Sequence, residues 1–378
     1  MIDFAFFFLG IFIGILVGFI PGLHVNSILP FLFLTSGYQM HCLVIPMSVA
    51  FVFSSFFPAA LLGLPDEDNA LSVLPAHRLL ARGKAYTAFR LYFLGALTSS
   101  FFSFIFLVFF LIFLKDFYQA LKPIIPLILL FILVVMLFSN KYAFIVIVLS
   151  SALGYMTVNY NTILPLLTGF FAMSNLILSL FSTGRQPTQR LKSEISISRF
   201  DIIHSSLVAS VLASFFSLIP AISSGISATA SKIFGRFNTE EFLVLIGSTN
   251  MAYMVFSFFT LSLLGISRSG SAVLLSNVEN VSAFFMAALV LLSSLLSFLI
   301  LESVYKRLLP LYTKLKQKSI NIAAAFVLLL IVFLTSSYFG LLVFLASTSI
   351  GLLSNELGVK RINCMSALIF PTVLLIWQ

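Results

Sequence analysis

Two proline steps carry the residues best suited to chemistry. Pro21 and Gly22 are followed by His24, Asn26 and Ser27, and Pro220 by Ser223, Ser224, Gly225 and Ser227. Each step interrupts an apolar run. In lipid every backbone N–H and C=O must be satisfied within the protein, so a break is tolerated where it lines a cavity or meets a ligand. A short helix starting after each break would aim its N-terminal N–H groups and positive dipole end at the gap, which is an anion site. A kink packed by a neighbouring helix, with its polar residues bonded to nearby carbonyls, is the plainer alternative. Two matched breaks favour the site.

Three further groups belong to the same reading. Asp66, Glu67 and Asp68 form the one acidic cluster and are candidates for binding a coupling cation or relaying protons; a solvated loop paired with Arg78 and Arg82 is the alternative. Arg268, flanked by Ser267 and Ser269, could take an anionic group bidentately, or snorkel to headgroups. Asn250 ends a Gly-Ser-Thr-Asn step inside an apolar run, where it either bonds a neighbouring helix or lines a path. Asn159, Tyr160 and Asn161, with Asn355 and Glu356, are expected as a second layer.

Other chemistry finds little support. Cys42 and Cys364 lack metal-ligand spacing, the four histidines make no His-Glu-x-x-His pattern, and no Gly-Lys-Ser/Thr phosphate loop occurs. No cofactor is called for. An intramembrane enzyme would need a dyad, for which only His24 or His77 with the Asp66–Asp68 cluster are near candidates.

The elements that must position these residues follow from composition. Of 378 residues 60% are apolar and 9% charged, against about 25% charged in an ordinary soluble domain. No polar shell can be built from that. The chain reads as an all-α polytopic integral membrane protein, because its runs do not alternate as barrel strands would. Phe4 to Ile20 lacks the basic start and cleavage site of a signal peptide and is expected in the mature fold, spanning or re-entering.

The halves repeat. Pro21-Gly22 matches Pro220-Ala221, Leu62-Gly63 matches Leu264-Gly265, and Ser151 to Tyr155 matches Thr348 to Leu352, at offsets of 199, 202 and 197. The expected organisation is a first transmembrane repeat at 1–183, a cytoplasmic linker at 184–201 and a second repeat at 202–378. Three spans per half would invert the second repeat, so that broken or re-entrant helices meet near the bilayer midplane. Sixteen of the 21 Lys and Arg then fall in loops on one side, including Lys141, with Lys115, Lys122, Arg268, Lys360 and Arg361 on the other. The positive-inside rule makes the richer side cytoplasmic in a multi-pass protein of the cell membrane.

At these residues the sequence resembles the large membrane subunit of tripartite tricarboxylate transporters. Gly14, Gly18, Pro21 and Gly22 resemble that family's Gly-x-x-x-Gly-x-x-Pro-Gly segment. Leu62 to Pro65, Arg82-Gly83-Lys84-Ala85 with Ala88, the break at Pro220 and the segment from Gly265 to Ala272 follow its later pattern in order. Ala221 and Asp66 stand where the family has glycine. The resemblance implies a secondary transporter of di- or tricarboxylates working by alternating access, with a small membrane subunit and an extracellular binding protein as partners. A more distant similarity to polyprenyl-phosphate transporters implies lipid-carrier phosphate translocation as the alternative. Both imply an anion held at the broken helices and no nucleic acid.

Overall fold

The computed structural model describes residues 2–32, 37–63, 68–69, 71–160, 162–181, 188–231, 233–312 and 317–377. The first half runs α1 (Phe4–Phe19), α2 (Val25–Ile28), α3 (Tyr38–Ser54), α4 (Phe56–Leu62), α5 (Val73–Leu80), α6 (Ala85–Leu121), α7 (Ile125–Leu137), α8 (Ala143–Thr157), α9 (Ile163–Leu167) and α10 (Ser174–Leu180). A π-helical turn, Thr168–Met173, joins the last two. The second half runs α11 (Arg199–Phe216), α12 (Ser224–Ser231), α13 (Thr239–Leu264), α14 (Gly270–Leu275), α15 (Ala283–Tyr312), α16 (Gln317–Glu356) and α17 (Ser366–Trp377). No strand occurs among the described residues.

Seven helical segments of the described residues are long and apolar enough to cross a membrane. They differ in surroundings. The most apolar stretch of Tyr38–Leu62 is 100% buried inside the protein and that of Thr239–Leu264 94%, whereas that of Ala85–Leu137 is 33% buried and that of Lys318–Glu356 22%. The first two therefore form the centre, apolar all round because protein covers every face. The others turn phenylalanine and leucine outward, where lipid is their solvent. The helix α1 has 16 residues, about 24 Å of rise, less than the roughly 30 Å hydrocarbon core.

Helix starts follow local chemistry. Ser198 and Asp201 close a capping box on α11, and Asn238 and Glu241 close one on α13, each satisfying N–H groups the first turn leaves open. Both central segments end on a left-handed glycine, Gly63 at φ 66° and Gly265 at φ 69°. These are the positions that the sequence comparison of the two halves pairs.

The halves pack reciprocally. The helix α6 lies on α13 while α15 lies on α3; α17 lies on α8 while α16 lies on α9 and the π-helical turn. The α6–α13 crossing is close because a Cβ on Gly95 would run into the Val244 carbonyl, and one on Gly247 into the Tyr92 carbonyl. Thr98, Ser206 and Ser248 bond across this seam (Thr98 Oγ1 to Ser206 Oγ 2.6 Å, Ser248 Oγ to Ser206 Oγ 2.9 Å). Bonding between helices is thus part of what the hydroxyls of the Gly247–Asn250 step do.

One expectation about sides is corrected. Asn140 Nδ2 donates to the Gly358 carbonyl at 3.1 Å, and Asn363 Nδ2 to Ser139 Oγ at 2.9 Å. The turn before α8 and the turn before α17 are neighbours, so Lys360 and Arg361 share a face with Lys141 instead of opposing it. Sequence could not show this, because the pairing depends on how far α16 runs after its break at Ser337.

Between the halves, residues 188–198 form a strap over the ends of several helices. The Arg190 N–H donates to the Gly83 carbonyl at 2.8 Å, Arg90 Nη1 to Ser193 Oγ at 2.6 Å, and Ser196 Oγ to Glu240 Oε1 at 2.7 Å. Lys84 Nζ lies 2.9 Å from Glu194, and Arg90 Nε lies 3.1 Å from Glu302 on α15.

Candidate functional site

Each proline step is followed by a residue in the left-handed region. After α1 the chain enters extended backbone at Ile20, and Gly22 turns it with φ 75°. After α11 the turn residue is Ala221 with φ 61°, a region that costs an L-residue about 1–2 kcal/mol. Gly22 could not carry a side chain: a Cβ there would lie 2.8 Å from Ala172 Cβ and 2.9 Å from Leu328 Cδ1. The second turn is tied to the central helix by the Tyr253 hydroxyl, which donates to the Ile222 carbonyl.

The helices that follow are unequal. The helix α12 has eight residues and α2 only four, because Pro30 shapes a 3₁₀ turn directly after it. A single turn has little dipole, so the expected N-terminal anion site is reduced at the first break. His24 caps that turn instead. Its Nδ1 accepts the Asn26 N–H at 3.0 Å. An accepting Nδ1 carries no hydrogen, which leaves the ring N–H on Nε2, 3.7 Å from Asp68 Oδ2.

Both breaks face one cavity of about 730 Å³, within the range of about 300–1,000 Å³ typical of small-molecule sites. Gly22, His24, Asn26 and Ser27 line it from the first half, and Pro220, Ser223, Ser224, Asn250, Arg268 and Ser269 from the second. Asp68 also lines it. Among the described residues of the wall, Arg268 is the one Lys or Arg and Asp68 the one carboxylate. Pro21 and Gly225 are buried but do not line the cavity. Asp66 and Glu67, like Leu64 and Pro65, lie outside the described residues.

The polar partners show what each group has left to offer. Ser224 Oγ donates to Asp68 Oδ1 at 2.5 Å, bridging the two halves. Asn250 Nδ2 donates to Tyr92 Oη at 3.0 Å, to Asn69 Oδ1 at 3.2 Å and to the Asp68 carbonyl at 3.4 Å. Asn69 in turn donates to Ser55 Oγ at 3.0 Å. Asn250 therefore positions the Asp68 turn, and its own Oδ1 is buried without a hydrogen-bond partner. Ser269 is engaged as the N-cap of α14, accepting from the Ala272 N–H at 3.2 Å, and shares a bond of 2.9 Å with Ser257. Asn26 packs on Gly270, where a Cβ would lie 2.5 Å from Asn26 Oδ1.

Arg268 is half-buried and only partly committed. Its Nη2 donates to the Leu218 carbonyl at 2.9 Å and to Tyr118 Oη at 3.1 Å, and its Nε is buried without a hydrogen-bond partner. Expected as a bidentate fork, it is anchored by one nitrogen, with the guanidinium on the cavity wall.

The wall also holds residues that sequence reasoning passed over. Thr157, Thr162 and Asn277 are among them, with Tyr253, Thr335, Ser336 and Thr372. Tyr160, expected as second layer, lines the cavity directly; Asn159, Asn355 and Glu356 do not. The break at Ser337, with φ 58°, gives Thr335 and Ser336 their place. No proline or glycine marks it.

This arrangement is a two-sided, mainly apolar cavity with polar groups set into its wall, able to hold an anion against one cation and a set of neutral donors. It holds no described cluster of His, Cys, Asp or Glu that could bind a metal. Comparison with known proteins gives the same direction. The model of the tripartite tricarboxylate transporter TctA family, a transporter family and not an enzyme family, matches residues 4–366. An uncharacterised protein of Methanocaldococcus jannaschii is 30% identical over 401 residues, covering 99% of this chain and 99% of its own length. No solved structure matches the chain. The match spans both breaks and nearly all of the cavity wall, and the chain belongs to the tripartite tricarboxylate transporter TctA family, as a multi-pass membrane component of a transporter.

Proposed function

We propose that this chain carries an anionic substrate of the di- or tricarboxylate class across the cell membrane, bound in the cavity between Pro21–Ser27 and Pro220–Ser227. The observation that carries the reading is the convergence of two breaks, far apart in sequence, on one cavity whose wall holds, among the described residues, a single guanidinium. Carboxylate suits Arg268 because a planar cation and hydroxyl or amide donors match its oxygens. Tyr253, Thr162 and Ser336 extend the polar wall for a second carboxylate.

Residues 1–183 and 202–378 act as two inverted repeats, and rocking of one layer against the other alternates access. The reciprocal packing of α6 on α13 and α15 on α3 supports that relation. The strap at 188–198 ties α6 to α13, and Arg90 of α6 pairs with Glu302 of α15, which favours these three as the fixed layer. With no nucleotide motif, a proton or cation gradient supplies the energy, and Asp68, with Asp66 and Glu67 beside it in sequence, is the coupling candidate. The basic loops face the cytoplasm; grouping Lys360 and Arg361 with Lys141 sharpens that asymmetry. The partners are a small membrane subunit and an extracellular binding protein.

Uptake into proteoliposomes containing this chain and its partner subunits tests the reading. Citrate or succinate accumulates under an imposed proton or sodium gradient; transfer of a polyprenyl phosphate with no carboxylate uptake contradicts it.

A further inference from the structure

The carboxylate of Asp68 is itself held as a carboxylate substrate would be. Oδ1 receives the Ser224 hydroxyl at 2.5 Å, from the first residue of α12 in the second half. Oδ2 faces the His24 Nε2–H at 3.7 Å, from the first break. One internal anion thus touches donors of both breaks and lies at the positive end of the eight-residue α12. Its position is built, not incidental. Asn250 and Tyr92, both buried on the central and neighbouring helices, fix the turn through Asn69 and the Asp68 carbonyl, and Ser55 holds Asn69 from below. The donors a substrate anion would use are the donors Asp68 uses.

Resting on the anion-carrier reading above, we infer that Asp68 is a tethered internal ligand that latches the two breaks together and that an incoming substrate carboxylate must displace. The exchange trades one hydrogen bond and one electrostatic contact for bonds to the substrate. Ser224 Oγ–H leaves Asp68 and His24 Nε2–H turns from facing it, both toward the substrate oxygens, while Asp68 moves away by repulsion between like charges. The turn carrying Asp68 stays with α6 and α13 through Asn250 and Tyr92, and the turn before α12 stays with α13 through Tyr253, so release frees the start of α12, beyond Ile222, to shift relative to that frame. Binding and opening are then one event, because the same two donors serve the latch and the substrate.

The test compares citrate binding by purified wild type and Asp68→Asn, measured calorimetrically in detergent. The variant keeps the side chain's size but loses the charge that draws Ser224 and His24 to this position and repels the substrate. It should bind citrate about tenfold more tightly or better, since removing one nearby like charge in a partly desolvated site is worth at least that. Equal or weaker binding by a folded variant overturns the inference. If the wild type binds neither citrate nor succinate, the carrier reading itself fails, and the latch with it. A second measurement needs no change at Asp68. Spin labels at exposed Leu74, beyond the Asp68 turn, and exposed Thr229 on α12 report the distance between the two parts. The native Cys42 and Cys364 are buried and spared by the label. Saturating citrate should lengthen or broaden that distance in the Asp68 protein, and the Asp68→Asn protein should show the same distribution without citrate. An unchanged distance with citrate bound overturns the latch.

Discussion

Gly22 and Ala221 take the same left-handed turn one residue after each break proline, at φ 75° and 61°, although only one of them is glycine. Their surroundings explain the difference. Gly22 is pressed against Ala172 and Leu328, whereas the second turn tolerates a methyl group at some strain. Ala221→Gly should therefore stabilise by about 0.5–1 kcal/mol, relief of left-handed strain outweighing the added chain entropy. Gly22→Ala should destabilise by about 2 kcal/mol or more, through strain and overpacking together. Melting temperatures in detergent check the pair; a loss in both variants would contradict the packing described.

Asn26→Asp leaves the shape of the wall nearly unchanged and adds a negative charge beside Gly270. Citrate affinity should fall by tenfold or more, about 1.4 kcal/mol or above, with a melting temperature close to wild type. Calorimetry and a melt on the same sample decide it. Unaltered affinity would remove Asn26 from the anion's surroundings.

Arg268→Ala should weaken citrate binding by roughly 2–3 kcal/mol, the scale of a charge-assisted bond in a partly buried site. Tyr118→Phe removes only the hydroxyl that steadies the guanidinium, and should cost about 1 kcal/mol. Arg268→Lys should not restore full affinity, because an ammonium cannot hold Leu218 and Tyr118 and also present a planar face. Equal loss of expression and binding in all three would indicate a structural arginine.

The strap offers a test outside the membrane. Glu194 titrates below the usual carboxylate range, chiefly because Lys84 hydrogen-bonds and attracts its charged form, with Arg190 adding to it. A depressed folded pKa means that its contribution is complete above the ordinary value near 4.3 and is lost only as pH falls through the lower one. A spin label at exposed Lys192 should stay immobile down to that ordinary range and loosen below it. Loosening near neutral pH would contradict the pairing with Lys84.

Much of the fold was legible because lipid as solvent leaves few choices. The apolar runs at 42–64 and 241–265 are α3–α4 and α13, and the proline steps mark the two breaks. Boundaries set by packing were not legible. The run ending at Leu114 continues as helix through Lys115 and Asp116 to Leu121, since nothing before Pro123 stops it. The break at Ser337 carries no proline or glycine, only the hydroxyl run Thr335-Ser336-Ser337 between two apolar runs, and Thr335 and Ser336 were passed over as wall residues. Tyr253 lies in a run apolar on every side, where only the neighbouring helices decide which residue looks into the cavity. The dipole expected at α2 failed for a local reason, the turn around Pro30. His24, Asn26, Ser224 and Arg268 were legible as candidates because polar residues beside a break in lipid have few other uses; their place on one cavity wall, and the bridge from Ser224 to Asp68, came only with the coordinates.

The most direct measurement is to locate a bound anion. A structure of the protein determined with bromosuccinate should show the anomalous bromine signal between residues 21–27 and 220–224, with carboxylate oxygens within hydrogen-bond reach of Arg268 and of Ser224 or His24. Bromosuccinate bound at saturation anywhere else, with this cavity lacking the signal, would contradict the account.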